Sequence, residues 1–116
     1  PMDIDQIIKG AVEPIVPVCV IDVYGGDAQE FCVYTYTETP MDYGDDEPHA
    51  MRYTVRLHWC FPWKPGVTAS PEVKAKKLQL KRALCAAGMT YPTVSSAGDD
   101  QWADLVFETE YINGEV

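Results

Sequence analysis

Residues Ala50–Phe61 read A-M-R-Y-T-V-R-L-H-W-C-F, and the fold turns on this stretch. Met51, Tyr53, Val55, Leu57, Trp59 and Phe61 alternate with Arg52, Thr54, Arg56, His58 and Cys60. Successive side chains of a strand point to opposite faces, so the first set is expected to meet a core and the second a wetter surface. Such a pattern predicts a long antiparallel strand with one covered face. Pro62 and Pro65 end it, because proline has no N–H to give to a ladder.

On the N-terminal side, Glu38–His49 (E-T-P-M-D-Y-G-D-D-E-P-H) holds two prolines, a glycine and five acids. That composition predicts a long irregular loop between two paired strands. Phe31–Thr37 (F-C-V-Y-T-Y-T) is a run of strong β-formers. Val18–Tyr24 (V-C-V-I-D-V-Y) predicts another strand, joined through Gly25-Gly26-Asp27 and expected to run antiparallel to Phe31–Thr37. Before it, Ile4, Ile7, Ile8, Ala11 and Val12 recur at helical spacing. Asp3 and Asp5 favour the N-terminal end of that helix dipole, and Pro14 and Pro17 stop the helix.

On the C-terminal side, Ser70-Pro71 is an N-cap followed by proline at the first helical position. Val73, Leu80, Leu84 and Ala87, with Leu78 and Cys85 beside them, form the apolar stripe of a second helix that Gly88 closes. Tyr91–Ser96 predicts a short strand, Ala97–Asp100 a turn, and Ala103–Ile112 a last strand. In that strand Leu105, Phe107, Thr109 and Tyr111 share a face, while Asp104, Glu108 and Glu110 point away. The predicted class is α+β: a largely antiparallel sheet of four to five strands with two helices packed on one face.

The chain has 116 residues, 47% of them hydrophobic, enough to bury one core without metal or disulfide staples. One domain over residues 1–116 is expected, with Pro1 a tag remnant outside the fold. No apolar run is long enough to span a membrane. Met2-Asp3-Ile4-Asp5 lacks the basic start of a secretory leader, so a cytoplasmic setting is expected. Cys19, Cys32, Cys60 and Cys85 form no C-x-x-C pair and lie among apolar neighbours, which suits small buried thiols rather than a zinc site.

Net charge is −9 and unevenly spread. Lys74, Lys76, Lys77, Lys81 and Arg82 are five of the nine basic residues. Acids collect in Glu38–Glu47 and Asp99–Glu115. So acidic a chain argues against general nucleic-acid binding, which needs a broad basic surface. Lys74, Lys77 and Lys81 recur along one side of the helix, either as a solvated face or as a docking surface for an acidic patch. Because the chain carries acidic patches itself, head-to-tail self-association is one partner for that surface.

Catalytic and metal motifs are missing. Asp45-Asp46-Glu47 with His49 lacks the alternating ligands and distal glutamate of a calcium loop. His58 lies between Arg56 and Cys60, with no orienting third group evident for a Cys–His nucleophile. No phosphate-cradling, dinucleotide, nucleophile-elbow or zinc-protease motif occurs. No catalytic residue, metal or cofactor is predicted.

The order of elements resembles tail-terminator or tail-completion (neck) proteins of long non-contractile-tailed bacteriophages. The likeness covers the N-terminal helix, F-C-V-Y-T-Y-T-E (Phe31–Glu38), the acidic loop and M-R-Y-T-V-R-L-H-W (Met51–Trp59). It continues through the helix Pro71–Ala87, Gly88-Met89 and A-D-L-V-F-E-T-E-Y (Ala103–Tyr111). The resemblance implies a homo-oligomeric ring, typically a hexamer, that ends the tail tube and joins it to the head connector. It further implies assembly in the bacterial host cytoplasm, with major tail-tube and head-connector proteins as partners and DNA passing through the ring. Carried onto this chain, Asp42, Asp45, Asp46 and Glu47 would face the lumen or an adjoining ring, where like charge lets DNA slide without sticking. Lys74, Lys77, Lys81 and Trp63 are the expected subunit-interface residues. Another neck or head-completion protein, or a soluble acidic binding or inhibitor protein, is the alternative.

Overall fold

The computed structural model describes the backbone of residues 3–44 and 47–113, and the side chains of all of these except 42–44 and 47–49. Helix α1 (Ile4–Val12) leads into strands β1 (Cys19–Ile21), β2 (Phe31–Gly44) and β3 (Glu47–Pro62). A 3-10 turn (Val67–Ala69), helix α2 (Pro71–Ala86) and strands β4 (Thr93–Ser96) and β5 (Trp102–Asn113) follow. The five strands form one sheet in the order β1-β2-β3-β5-β4, an α+β fold. All neighbours are antiparallel except β1 and β2.

The alternation in β3 sorts as expected from Val55 onward, whereas Met51, Arg52, Tyr53 and Thr54 are all half-buried. Val55, Leu57, Trp59 and Phe61 are buried, while Arg56 is exposed and His58 and Cys60 are half-buried. Register places Leu57 between Tyr34 and Phe107, and Trp59 between Cys32 and Leu105, so three strands contribute to one apolar face. Ile4, Ile8 and Val12 of α1 and Val73, Leu80 and Leu84 of α2 join the same cluster. Both helices therefore cover this face and leave the other without a helix.

Local signals fix the helix ends. The Asp3 carboxylate accepts from the Gln6 N–H at 2.8 Å, and the Gln6 side chain accepts from the Asp3 N–H at 3.1 Å, a reciprocal capping box. Ser70 caps α2 ahead of Pro71. At the other end the Met89 N–H donates to the Leu84 carbonyl and the Gly88 N–H to Cys85, a Schellman closure with Gly88 at φ +100°. Asp5 ties α1 to the sheet, accepting from the Tyr34 hydroxyl at 2.6 Å and the Tyr36 hydroxyl at 3.2 Å. Burial, with the Asp5 carboxylate beside them, pushes both phenols up, Tyr36 to about 12.

Three expectations are corrected. Glu38–His49 is not an irregular loop: β2 continues to Gly44 and β3 starts at Glu47, with Pro40 opposite Met51 and Tyr43 opposite Pro48. Pro40 lies on β2, whose described pairing with β1 stops at Tyr34, and Pro48 lies on β3, whose described pairing with β5 stops at Met51. Among the described residues each proline therefore has a partner strand on one side, and an edge tolerates a residue without an N–H. The sixteen residues of β3 span about 53 Å at ~3.3 Å each, close to the molecule's 55 Å long axis.

Second, β1 is parallel to β2, pairing Cys19 with Cys32 and Ile21 with Tyr34. The strand stops early because the Val23 N–H folds back to the Ile21 carbonyl at 2.8 Å across Asp22, whose φ is +67°. This is a γ-turn of the strained, positive-φ kind. Because β1 has only three residues, the return path is about 10 Å. Residues 22–30 can cover it without a helical crossover. The Tyr24 hydroxyl pins that return by accepting from the Ala28 N–H at 2.9 Å, and its ring lies 4.6 Å from that of Phe31.

Third, the cysteines differ in setting. Cys19 and Cys32 are buried, Cys60 is half-buried, and Cys85 is exposed. Cys85 and Leu78 lie off the apolar stripe of α2, outside the core.

Candidate assembly surfaces

One turn of helix separates Lys77 from Lys81, and both are half-buried rather than fully solvated. With Thr68, Val94, Ser96 and Leu105 they line an open groove of about 520 Å³ between α2 and β4. The Lys81 ammonium lies 5.8 Å from the centre of the Tyr91 ring. Lys74 is exposed, outside the groove. Lys74, Leu78 and Lys81 follow at i, i+4 and i+7, so an apolar side chain that is 38% exposed sits between two ammonium groups.

Lys76 is engaged elsewhere. Its ammonium meets Glu30 at 3.1 and 3.0 Å and lies 6.0 Å from the centre of the Trp59 ring. The Trp59 indole N–H donates to the same carboxylate at 2.9 Å. Glu30 thus joins α2 to the start of β2 across the edge of the core.

The sheet face without helices carries one cross-strand ion pair and one histidine–carboxylate hydrogen bond. Arg56 and Glu108 approach to 3.4 Å with about half of each side chain exposed, a geometry worth little in water. His58 Nδ1 lies 3.1 and 3.0 Å from the two Asp104 oxygens. Burial, with the Asp104 carboxylate beside it, pushes the Cys60 thiol up to about 12. The imidazole is therefore bonded to the carboxylate, with the thiol beside that same carboxylate. A cysteine nucleophile needs a different arrangement, with the imidazole taking the thiol proton. Among the described residues no group of three or more His, Cys, Asp or Glu is placed to hold a metal ion.

Thiol chemistry supplies a direct check. Burial raises the Cys19 thiol to about 12 and that of Cys32 further, whereas Cys85 is exposed. Because the thiolate is the reactive form, a mildly alkaline thiol reagent is expected to modify Cys85 alone in a fast phase. The other three should react only on unfolding, and Cys85→Ser should abolish the fast phase.

Exposed apolar side chains gather at the sheet margins. At the end of the helix-free face the Phe31 and Trp102 rings lie 5.6 Å apart, and Trp102 is 36% exposed. Trp63 is 40% exposed, its N–H donating to the Gln101 carbonyl at 3.0 Å. At the β1 margin, Ile21 is 41% and Val23 79% exposed.

The structure thus brings Lys77 and Lys81 to one groove, keeps Lys74 on the adjoining helix surface, and sets Trp63 at the far end of β3. Asp45 and Asp46 lie outside the described residues, and the Asp42 and Glu47 side chains outside the described side chains. Sequence reasoning missed the β4 margin and the links of Glu30 to Lys76 and His58 to Asp104. Each of these two links joins residues 46 positions apart, beyond any local periodicity. Compared with known proteins, the chain matches no family model and no curated protein.

Proposed function

We propose that this chain is a structural subunit of a phage or prophage tail, forming a ring that terminates the tail tube and joins it to the head connector. The observation that carries the reading is the segregation of charge between the two sides of the sheet. The bases on α2 lie over one face, and Asp104 and Glu108 of β5 stand on the helix-free face. Lys77 and Lys81 line the β4 groove, with Lys74 and Arg82 exposed on the same helix. Acids dominate Glu38–Glu47 and Asp99–Glu115. Unlike surfaces on one subunit favour heterologous contacts, which close a ring when the rotation per subunit permits. The net charge of −9 would keep DNA mobile inside such a ring. In this role the protein is not a catalyst, and its partners are copies of itself, the tail-tube protein and the connector.

The test is the particle formed by the purified protein. At low salt, electron microscopy is expected to show rings with a central channel, with six subunits the anticipated number. Reversing Lys74, Lys77 and Lys81 together to glutamate should weaken assembly at least tenfold, since like-charge contacts across an interface cost several kcal/mol. A wild-type protein that stays monomeric at high concentration and low salt would sink the ring.

A further inference from the structure

The two outer strands of the sheet are fitted to each other. Among the described residues, β4 is bonded to β5 on one side only, and β1 to β2 on one side only. The Ala97 N–H donates to the Asp104 carbonyl and the Asp99 N–H to Trp102. In the antiparallel alternation the odd-numbered backbone groups therefore face β5, and those of Val94 and Ser96 face outward. In β1, the Val18 carbonyl accepts from Cys32 and the Asp22 N–H donates to Tyr34. The even-numbered groups there face β2, so Cys19 and the Ile21 N–H are turned outward.

Natural edge strands are blunted by shortness, which β1 and β4 have at three and four residues, or by a charge, a proline or a bulge within the strand. T-V-S-S of β4 and C-V-I of β1 contain no charged residue and no proline. Flanking charge is complementary beside the groove, while Lys9 lies near Cys19 and the exposed Asp99 and Asp100 follow β4. Glu13, Asp22 and Asp27 are exposed around β1, and Lys77 and Lys81 flank β4. Exposed apolar groups match as well: Ile21 and Val23 on one margin, Leu78 and Tyr91 (54% exposed) on the other.

We propose that the β4 edge of one copy pairs with the β1 edge of the next, so that the sheet runs on from subunit to subunit. This rests on the self-assembling reading above and names the contact that builds it. Strand directions agree: β1 and β4 run oppositely within one subunit. A head-to-tail repeat about an axis along the strands keeps those directions and makes the new pair antiparallel. Faces agree too. Cys19 and Ile21 stand on the helix-covered side with their partners Cys32 and Tyr34, and Val94 and Ser96 stand there with Phe107 and Leu105. Joining the outward groups therefore sets Ile21 beside Val94 at the lysine-lined groove. Val23 comes toward Tyr91.

Proline at position 94 separates this contact from monomer stability, because it removes an N–H that the subunit's own ladder does not use. Light scattering and native mass spectrometry on Val94→Pro should show at least a tenfold loss of assembly, with the melting temperature and far-ultraviolet dichroism of the wild type. Val23→Lys, which sets a cation against the Lys77–Lys81 surface, should weaken assembly similarly, and adding Lys81→Glu should restore it. This pair leaves the backbone untouched and decides the matter should Val94→Pro lower the melting temperature. Rings that persist in Val94→Pro and Val23→Lys overturn the edge contact while leaving the ring reading intact. A wild-type protein that never assembles overturns both.

Discussion

Replacing Trp59 with alanine is expected to cost about 3–5 kcal/mol, the range for deleting a buried aromatic side chain. Trp59 is only 2% exposed, packs its ring 4.7 Å from that of Phe61, and lies on the central strand of the sheet. Its indole N–H is the donor that holds Glu30 against the core, while Lys76 approaches the same carboxylate from α2. The alanine variant leaves a cavity under α2 and removes one partner of a half-buried carboxylate. For a chain of this size the melting temperature should fall by roughly 10–20 °C. Trp59→Phe keeps most of the ring volume but loses the N–H, so about 1–2 kcal/mol is expected, mainly from the lost bond to a charged acceptor. Urea titration of both variants checks the split. A Phe variant as damaged as the Ala variant would place the energy in the hydrogen bond rather than in packing.

The second large effect is expected at Gly98, in the turn between β4 and β5. A β-carbon there would lie 2.8 Å from the Asp104 nitrogen and 2.9 Å from the Ala103 α-carbon, and closer still to the Trp102 carbonyl oxygen. These are backbone atoms of a paired strand, which cannot swing aside as a side-chain tip can. Gly98→Ala must spread the turn, loosening the Ala97 N–H bond to Asp104 and the Asp99 N–H bond to Trp102. The Asp99 carboxylate, held below its usual range by the N–H groups of Trp102 and Gln101, would lose its alignment as well. Overpacking together with weakened turn bonds predicts about 2–4 kcal/mol of destabilisation. Fast amide exchange at Ala97 and Asp99 would accompany it. Gly10 and Gly25, where a β-carbon meets nothing within 4 Å, are the control positions. An alanine at 98 no worse than one at 25 would refute the close approach.

Much of this arrangement was legible locally. The alternation of β3 assigned Val55, Leu57, Trp59 and Phe61 to the core, because a strand next to a helix layer must sort its side chains by parity. Ser70-Pro71 and Gly88 bounded α2 for equally local reasons: an oxygen that caps, a ring that presets φ, and a residue free to take positive φ. The same reasoning failed at Glu38–His49. Prolines and acids argue against a strand only when both of its edges are occupied, and nothing in the residues themselves states that the described pairing of β2 with β1 stops at Tyr34 and that of β3 with β5 at Met51. It failed again at β1, where Gly25-Gly26 suggested a hairpin. Instead Asp22 turns the chain one residue after Ile21 and sends it back beside its own start.

Of the candidate surfaces, the sequence by itself determined the spacing of Lys74, Lys77 and Lys81 and the opposed acidic segments. Both follow from the helical repeat and from counting charges. Only the tertiary structure decided that Lys76 is bound to Glu30, and that Lys77 and Lys81 border a groove beside an unpaired strand edge. It alone set that edge across the sheet from the short β1, with exposed Ile21 and Val23 beside it. The physical reason is the range of the interactions. Periodicity and capping act within a few residues, whereas strand order depends on pairings that close long loops, so the two margins of the sheet acquire their complementarity only when the whole chain has folded.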